Sequence, residues 1–267
     1  MAAGNYMPFS FELSVDLSTL AILAMLAFVA GFIDAIAGGG GLLTIPALLT
    51  AGLPPHLALG TNKLCATFGS AAASYTFYRR KLFDPSQWRN ALIGTAVGAL
   101  LGAAMAQWLP SAWLNQLLPA VVFACGLYLL FGKAPAAPRL TDAPIAKGRQ
   151  WPQSLCLGFY DGVAGPGTGA FWTVSSLLLY PLDLVRASGV ARSMNFVSNI
   201  CALSVFIISG QVAWLLGICM GLALMAGAFL GARTAIKGGS KFIRPVFILV
   251  VLGLTVRLAW QHWFGLA

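Results

Sequence analysis

Apolar and polar positions are segregated along this chain in long blocks rather than in a short period. Long apolar runs cover Leu13 to Ala37, His56 to Tyr78, Asn90 to Leu109, Ala112 to Phe131, Leu184 to Ser209, Val212 to Ala232 and Phe242 to Phe264. A membrane-crossing helix needs about 20 mostly apolar residues, and these runs have that length. Pro152 to Ala164 is a further segment, and two short runs, Leu42 to Leu53 and Gly169 to Tyr180, complete the series. Each short run has about 12 residues, roughly 18 Å of helix. That predicts broken or re-entrant geometry rather than a full crossing.

Each short run follows a glycine break: Gly38, Gly39, Gly40 and Gly41 before the first, Gly165-Pro166-Gly167 before the second. The order is the same on both sides of a polar, proline-containing linker: a long segment, a glycine break, a short segment and three further helices. Residues match as well. Gly31-Phe32-Ile33-Asp34 aligns with Gly158-Phe159-Tyr160-Asp161 at an offset of 127, which puts Gly38 and Gly40 on Gly165 and Gly167. After a two-residue slip, Lys63 falls on Arg192 and Ser70 on Asn199. Internal duplication of this kind is common in transporter folds. The expected organisation is a first membrane repeat over 1–132, a cytoplasmic linker over 133–151 and a second membrane repeat over 152–267. The predicted fold class is an all-α integral membrane protein. It has two inverted-topology repeats, each a broken or re-entrant helix pair plus three transmembrane helices, with about 8 hydrophobic spans and two short helices in all.

Composition agrees: 59% of the 267 residues are hydrophobic and 9% are charged, against about 25% charged in soluble domains. The net charge of +9 changes the picture only through its distribution. Basic residues cluster at Arg79, Arg80, Lys81 and Arg89, at Lys133, Arg139, Lys147 and Arg149, and at Arg233, Lys237, Lys241 and Arg244. Short basic loops between apolar runs follow the positive-inside rule, whereas a nucleic-acid binder carries a basic stripe on a polar domain. These three regions are expected in the cytoplasm, and the uncharged turns near Pro110 and Gly210 outside. The first long-plus-short pair then begins and ends outside and the second begins and ends inside. The halves are inverted, and both termini lie outside. No secretory signal is read before the first run. The five cysteines, Cys65, Cys125, Cys156, Cys201 and Cys219, read as small buried hydrophobes.

Four charges fall inside apolar runs: Asp34, Lys63, Asp161 and Arg192. Each costs about 2.5–3.5 kcal/mol at a helix centre, so such residues pair, face water or mark a pathway. Here there is one acid and one base per half, each acid just before a glycine break. Non-helical backbone at membrane depth survives only where it is protein-buried or lines a cavity. The N–H groups opening the following short helix favour an anion. Arg192, Asn195 and Asn199 share a helix face at i, i+3 and i+7, and Lys63, with Asn62 beside it, takes the matching position in the first half. The candidate substrate site is therefore Asp34, Gly38, Gly39, Gly40, Gly41, Asn62, Lys63, Asp161, Gly165, Gly167, Arg192, Asn195 and Asn199. Asp34 and Asp161 are also the candidates for proton coupling, while capping the short helices or neutralising the bases stays open for both. Neither a metal nor a cofactor is expected: no ligand cluster, H-E-x-x-H or G-x-S-x-G pattern occurs. The lack of such motifs also argues against an intramembrane enzyme.

The run from Gly31 to Pro46, with Gly60-Thr61-Asn62-Lys63-Leu64, resembles the first-repeat motif of the TauE/SafE sulfite exporter family. Gly158 to Gly162, Gly165 to Gly169 and Arg192 to Asn199 resemble its second repeat, in the pattern of YfcA-type members. The resemblance covers about Ala21 to Trp260 and implies a bacterial inner-membrane permease for sulfite, organosulfonates or related small anions. Arg192 stands where similar proteins often carry Lys, which alters hydrogen-bond geometry while keeping charge. The expected function is secondary transport of a small, sulfur-containing anion, with the lipid bilayer as environment and protons as a candidate coupling ion. An anion channel and a non-transporting membrane subunit are the alternatives, and a homo-oligomer stays open.

Overall fold

The computed structural model describes residues 16–113 and 147–263, with side chains up to Gly239 and at Phe242. Among these residues every element is helical: α1 (Leu17–Ala37), α2 (Gly40–Thr50), α3 (Pro55–Arg79), α4 (Arg89–Trp108), α5 (Lys147–Val163), α6 (Thr168–Leu179), α7 (Leu184–Ile208) and α8 (Trp214–Trp263). The run from Ala112 to Phe131 lies almost wholly outside the described residues, as do Cys125 and most of the linker.

Local chemistry sets the helix ends. Asp16 caps α1 by accepting from the Thr19 N–H at 2.7 Å, so the first helix starts at Leu17. Asp183 caps α7 in the same way, taking the Arg186 N–H at 2.8 Å, and pairs loosely with the Arg186 side chain at 3.7 Å. Proline opens α3 at Pro55, where its missing N–H costs nothing.

Two boundaries differ from the sequence reading. Helix α5 is already formed at Lys147, so the last residues assigned to the linker are helical and Pro152 lies within the helix. Its side chains help explain why: Gln150 donates to the Gln87 carbonyl at 2.8 Å and accepts from the Ala91 N–H. The basic stretch at Arg233 and Lys237 is helical as well. Helix α8 runs through it and is interrupted at Gly239, with φ 59° and ψ −162°. His56 lies at the start of α3, and its ring bonds the Ala106 carbonyl and the Ser111 hydroxyl.

Length and composition make four described segments able to cross a membrane: Leu17–Ala37, Arg89–Trp108, Leu184–Ile208 and Trp214–Gly239. Helix α3, at 25 residues, is long enough but too polar overall to join them. The charges within the apolar runs face inward. Lys63, Asp161 and Arg192 are all at most 3% exposed. Ile22, Met25 and Val29 on α1 and Val97, Leu100 and Leu101 on α4 face outward. Charge inside and a broad apolar exterior is the arrangement that lipid, not water, stabilises. Cys65 is buried as expected, whereas Cys156 sits on the exposed face.

The packing exchanges partners between the halves. Helix α1 packs along α8, and α5 packs along α4. Helices α3 and α7 cross between them, and α2 and α6 lean on α3 and α7 respectively. Glycine permits the close approaches. A Cβ on Gly31 would strike the Leu224 carbonyl of α8, and one on Gly158 the Thr95 carbonyl of α4. Gly98 and Gly102 press on α5, and Gly227 and Gly231 press on α1 in the same way. Such small-residue faces let membrane helices gain van der Waals contact without a hydrophobic driving force.

Candidate functional site

Both long helices that precede the short ones end on a glycine in the left-handed region, Gly38 at φ 87° and Gly165 at φ 86°. A side chain there is strained. It would also have no space: a Cβ on Gly38 would lie 2.4 Å from the Ala170 nitrogen, and one on Gly165 2.6 Å from Asp161 Oδ1. The first break crosses from α1 to α2 in two residues, Gly38 and Gly39. The second crosses from α5 to α6 in four, Ala164 to Gly167. This difference of two accounts for the slip between the matching offsets of 127 and 129. It also shifts one pairing. Thr44 donates to the Gly40 carbonyl and Thr173 to the Gly169 carbonyl, so Gly40 corresponds to Gly169 rather than to Gly167.

The two breaks abut. Gly38 lies against Gly169 and Ala170, and Gly41 against Pro166. Between them is a cavity of about 30 Å³, room for about two waters. Ten of the sequence-predicted residues line it: Asp34, Gly38, Gly40, Gly41, Asn62, Asp161, Gly165, Gly167, Asn195 and Asn199. Gly39 does not; it serves as the turn, its carbonyl accepting from the Leu42 N–H. Nor do Lys63 and Arg192, which stand behind the wall.

The bases pair across the halves. Lys63 Nζ reaches Asp161 Oδ1 at 2.8 Å, the Asp161 carbonyl, and Asn199 Oδ1 at 3.2 Å. Arg192 Nη1 reaches Asp34 Oδ2 at 3.2 Å and also donates to the Asp34 carbonyl. Each base thus binds both the carboxylate and the backbone of the other half's acid. The acids complete the joint by bracing their own breaks. Asp34 Oδ1 accepts the Gly40 N–H at 2.9 Å, at the start of α2. Asp161 accepts the Thr168 hydroxyl at 3.3 Å, at the start of α6, and the Ser198 hydroxyl from α7. Removing one partner of such a pair strands an uncompensated charge.

The pairs are not equally satisfied. Lys63 has three protons and three acceptors. The Arg192 side chain is 0% exposed, yet among the described residues its Nε and Nη2 have no partner; nor does Asn195 Oδ1. Asp34 is the most open of the four charges, with its side chain 19% exposed against 4% for Asp161.

The sequence reading missed Thr44, Thr168, Gly169, Ala66 and Leu224 on the cavity wall, and Ser198 behind it. The Thr44 hydroxyl shares its one proton between the Gly40 carbonyl and Asn62 Oδ1, 2.5 Å away, tying α2 to α3. A signal for it was present: glycine four residues before threonine opens both short helices, as Gly40 and Thr44 and as Gly169 and Thr173. Thr67 and Ser70, on the Lys63 lane by spacing, instead donate to carbonyls of their own helix.

Residues 23–258 match the family described as Sulfite exporter TauE/SafE. The chain belongs to this family. A probable membrane transporter protein of Haemophilus influenzae is 39% identical over 259 residues, covering 95% of this chain and 99% of that protein. The probable membrane transporter protein ORF9 of a Sinorhizobium species is 40% identical over 90% of this chain and 92% of its own length. The probable membrane transporter protein YfcA of Escherichia coli K12 is 38% identical, with 92% of this chain and 94% of that protein covered. With its apolar helices, family membership makes this a multi-pass membrane protein, of a family of transporters rather than enzymes. The glycine breaks, both charge pairs and the cavity all lie inside the matched region.

Proposed function

We propose that the protein is a secondary transporter of a small oxyanion, held where the two glycine breaks meet. The observation that carries this is the pair of cross-half ion pairs flanking a polar cavity between abutting breaks. Such an arrangement opens or closes when one half rocks on the other and a cross-half pair parts. The family description and the sequence resemblance favour sulfite or an organosulfonate as the anion. Asn62, Asn195 and Asn199 supply amides on the cavity wall, and Gly38, Gly40, Gly165 and Gly167 allow close approach of backbone to ligand. Arg192 and Lys63 supply the positive potential behind that wall, and Asp34 and Asp161 balance it when no anion is bound. A proton taken by one of these acids would couple transport to the proton gradient.

The exchanged packing of α1 with α8 and α5 with α4 supports two repeats of inverted topology. The basic clusters favour an inner-membrane orientation with both termini outside and the linker in the cytoplasm. A cavity of about 30 Å³ favours an alternating-access carrier over an open channel.

Flux assays on proteoliposomes test this reading. Wild-type protein is expected to move sulfite or a short alkylsulfonate, and Arg192→Ala protein that folds normally is expected to lose at least about 90% of that flux, since a charge-assisted contact is removed. Wild-type flux from a folded Arg192→Ala variant would end the site assignment.

A further inference from the structure

We infer that the anion site is one-sided: the ligand docks on Arg192 by displacing Asp34, which leaves carrying one proton, while Lys63 and Asp161 stay joined. This rests on the transport reading above and names which half of that site does the exchange.

The unpartnered donors point to one side. Arg192 Nη2 stands directly behind the wall that the two breaks share, 2.7 Å from where a Cβ on Gly38 would sit and 2.6 Å from one on Gly169. Both glycines line the cavity. A fully buried guanidinium nitrogen without an acceptor is costly, and an oxyanion oxygen is its natural partner. Asn195, whose amide nitrogen is the other polar group against Gly169, adds a second donor on the same wall. Lys63 offers nothing comparable, because its three protons already have acceptors.

Space and charge decide what must move. The cavity holds about two waters, less than an oxyanion with its contacts requires. Of the four charged groups, Asp34 is the one that both lines the cavity and is partly exposed. Its bonds are a single guanidinium and the Gly40 N–H. Asp161 is held by Lys63, Ser198 and Thr168 together. Among the described residues, Arg192 of α7 is the charged group that bonds Asp34. From α2 it meets the Gly40 amide. The wall opposite brings backbone from α6 and Leu224 from α8, and Lys63 of α3 is turned to Asp161. An anion that takes Arg192 therefore strips Asp34 of its cation and sets a like charge beside it. The charge of the site stays constant when Asp34 leaves carrying a proton. The balance is one anion and one proton bound together, with no net charge gained by the site.

Calorimetric titration of the purified protein in two buffers of different ionisation enthalpy counts that proton. Methanesulfonate is the probe, since it brings no titratable proton of its own, with sulfite as a second ligand. Wild-type protein is expected to take up close to one proton per methanesulfonate. Asp34→Asn, which keeps the cap on Gly40, is expected to bind with no proton uptake, and Asp34→Ser provides the same test if the amide misfolds. Asp161→Asn is expected to keep the proton count whatever its affinity. Arg192→Lys is expected to weaken binding by at least about 30-fold, because Lys lacks the second nitrogen. Wild-type binding without proton uptake, or uptake that survives in Asp34→Asn, overturns this inference alone. Wild-type protein that binds neither ligand overturns the transport reading, and this inference with it.

Discussion

Lys63 and Arg192 hold matching places on α3 and α7, each reaching across to the other half's acid, yet their surroundings have diverged. Lys63 sits in a closed set of acceptors with Asp161 and Asn199. Arg192 sits in an open one, with two guanidinium nitrogens unused. The surrounding side chains account for the difference. Ser198, which bonds Asp161, matches Gly69 in the first half, and so Asp34 has no equivalent hydroxyl. Asn195, beside Arg192, matches Ala66 beside Lys63. The two joints are alike in plan, and small differences in side chain leave one closed and the other with donors to spare.

The largest expected effect that would break this contrast comes from the acids. Asp161→Ala leaves a fully buried ammonium unpaired and is expected to cost about 3–5 kcal/mol, enough to abolish monodisperse protein in detergent. Asp34→Ala strands the Arg192 guanidinium, which is just as buried, and is expected to cost a similar amount. A wild-type folded yield from either variant would show that its ion pair does not hold the fold. The threonines give a smaller effect. Thr44→Val deletes the bond to Asn62 and is expected to lower anion flux about tenfold, on the scale of one buried hydrogen bond. Thr173→Val removes only a bond to its own helix and is expected to leave flux within about twofold. The helix caps give the smallest. Asp183→Ala is expected to cost about 1 kcal/mol through its lost cap on α7, seen as a small drop in melting temperature with flux intact.

Much of this architecture could be read before any coordinates. Run lengths located the helices, and the paired glycine stretches located both breaks, because apolar length and the need for left-handed glycine are local properties. The lane of Arg192, Asn195 and Asn199 was equally visible, since i, i+3 and i+7 share a face whatever the fold. Which acid meets which base was not visible. Lys63 and Asp161 are 98 positions apart, and spacing along a helix says nothing about the helix opposite. The start of α5 was missed for a related reason. Lys147 to Trp151 is polar, so hydropathy placed it in the linker, yet Gln150 is buried against the neighbouring α4. Gly40 was aligned with Gly167 because the offset of 127 holds up to Gly38 and Gly165, and only the threonine bonds reveal where two residues were inserted.

The exchange of packing partners between halves has a consequence for biosynthesis. Helix α1 leaves the ribosome early, but the face carrying Gly31 is shaped for α8, roughly 180 residues later in the chain. At about 5–20 residues per second, that face waits about 10–40 seconds in the bilayer without its mate. Helix α5, by contrast, emerges after α4 and can dock at once. The first helix is therefore the one that depends on insertion machinery or lipid to hold it in place, and neither half made alone would contain a complete set of contacts.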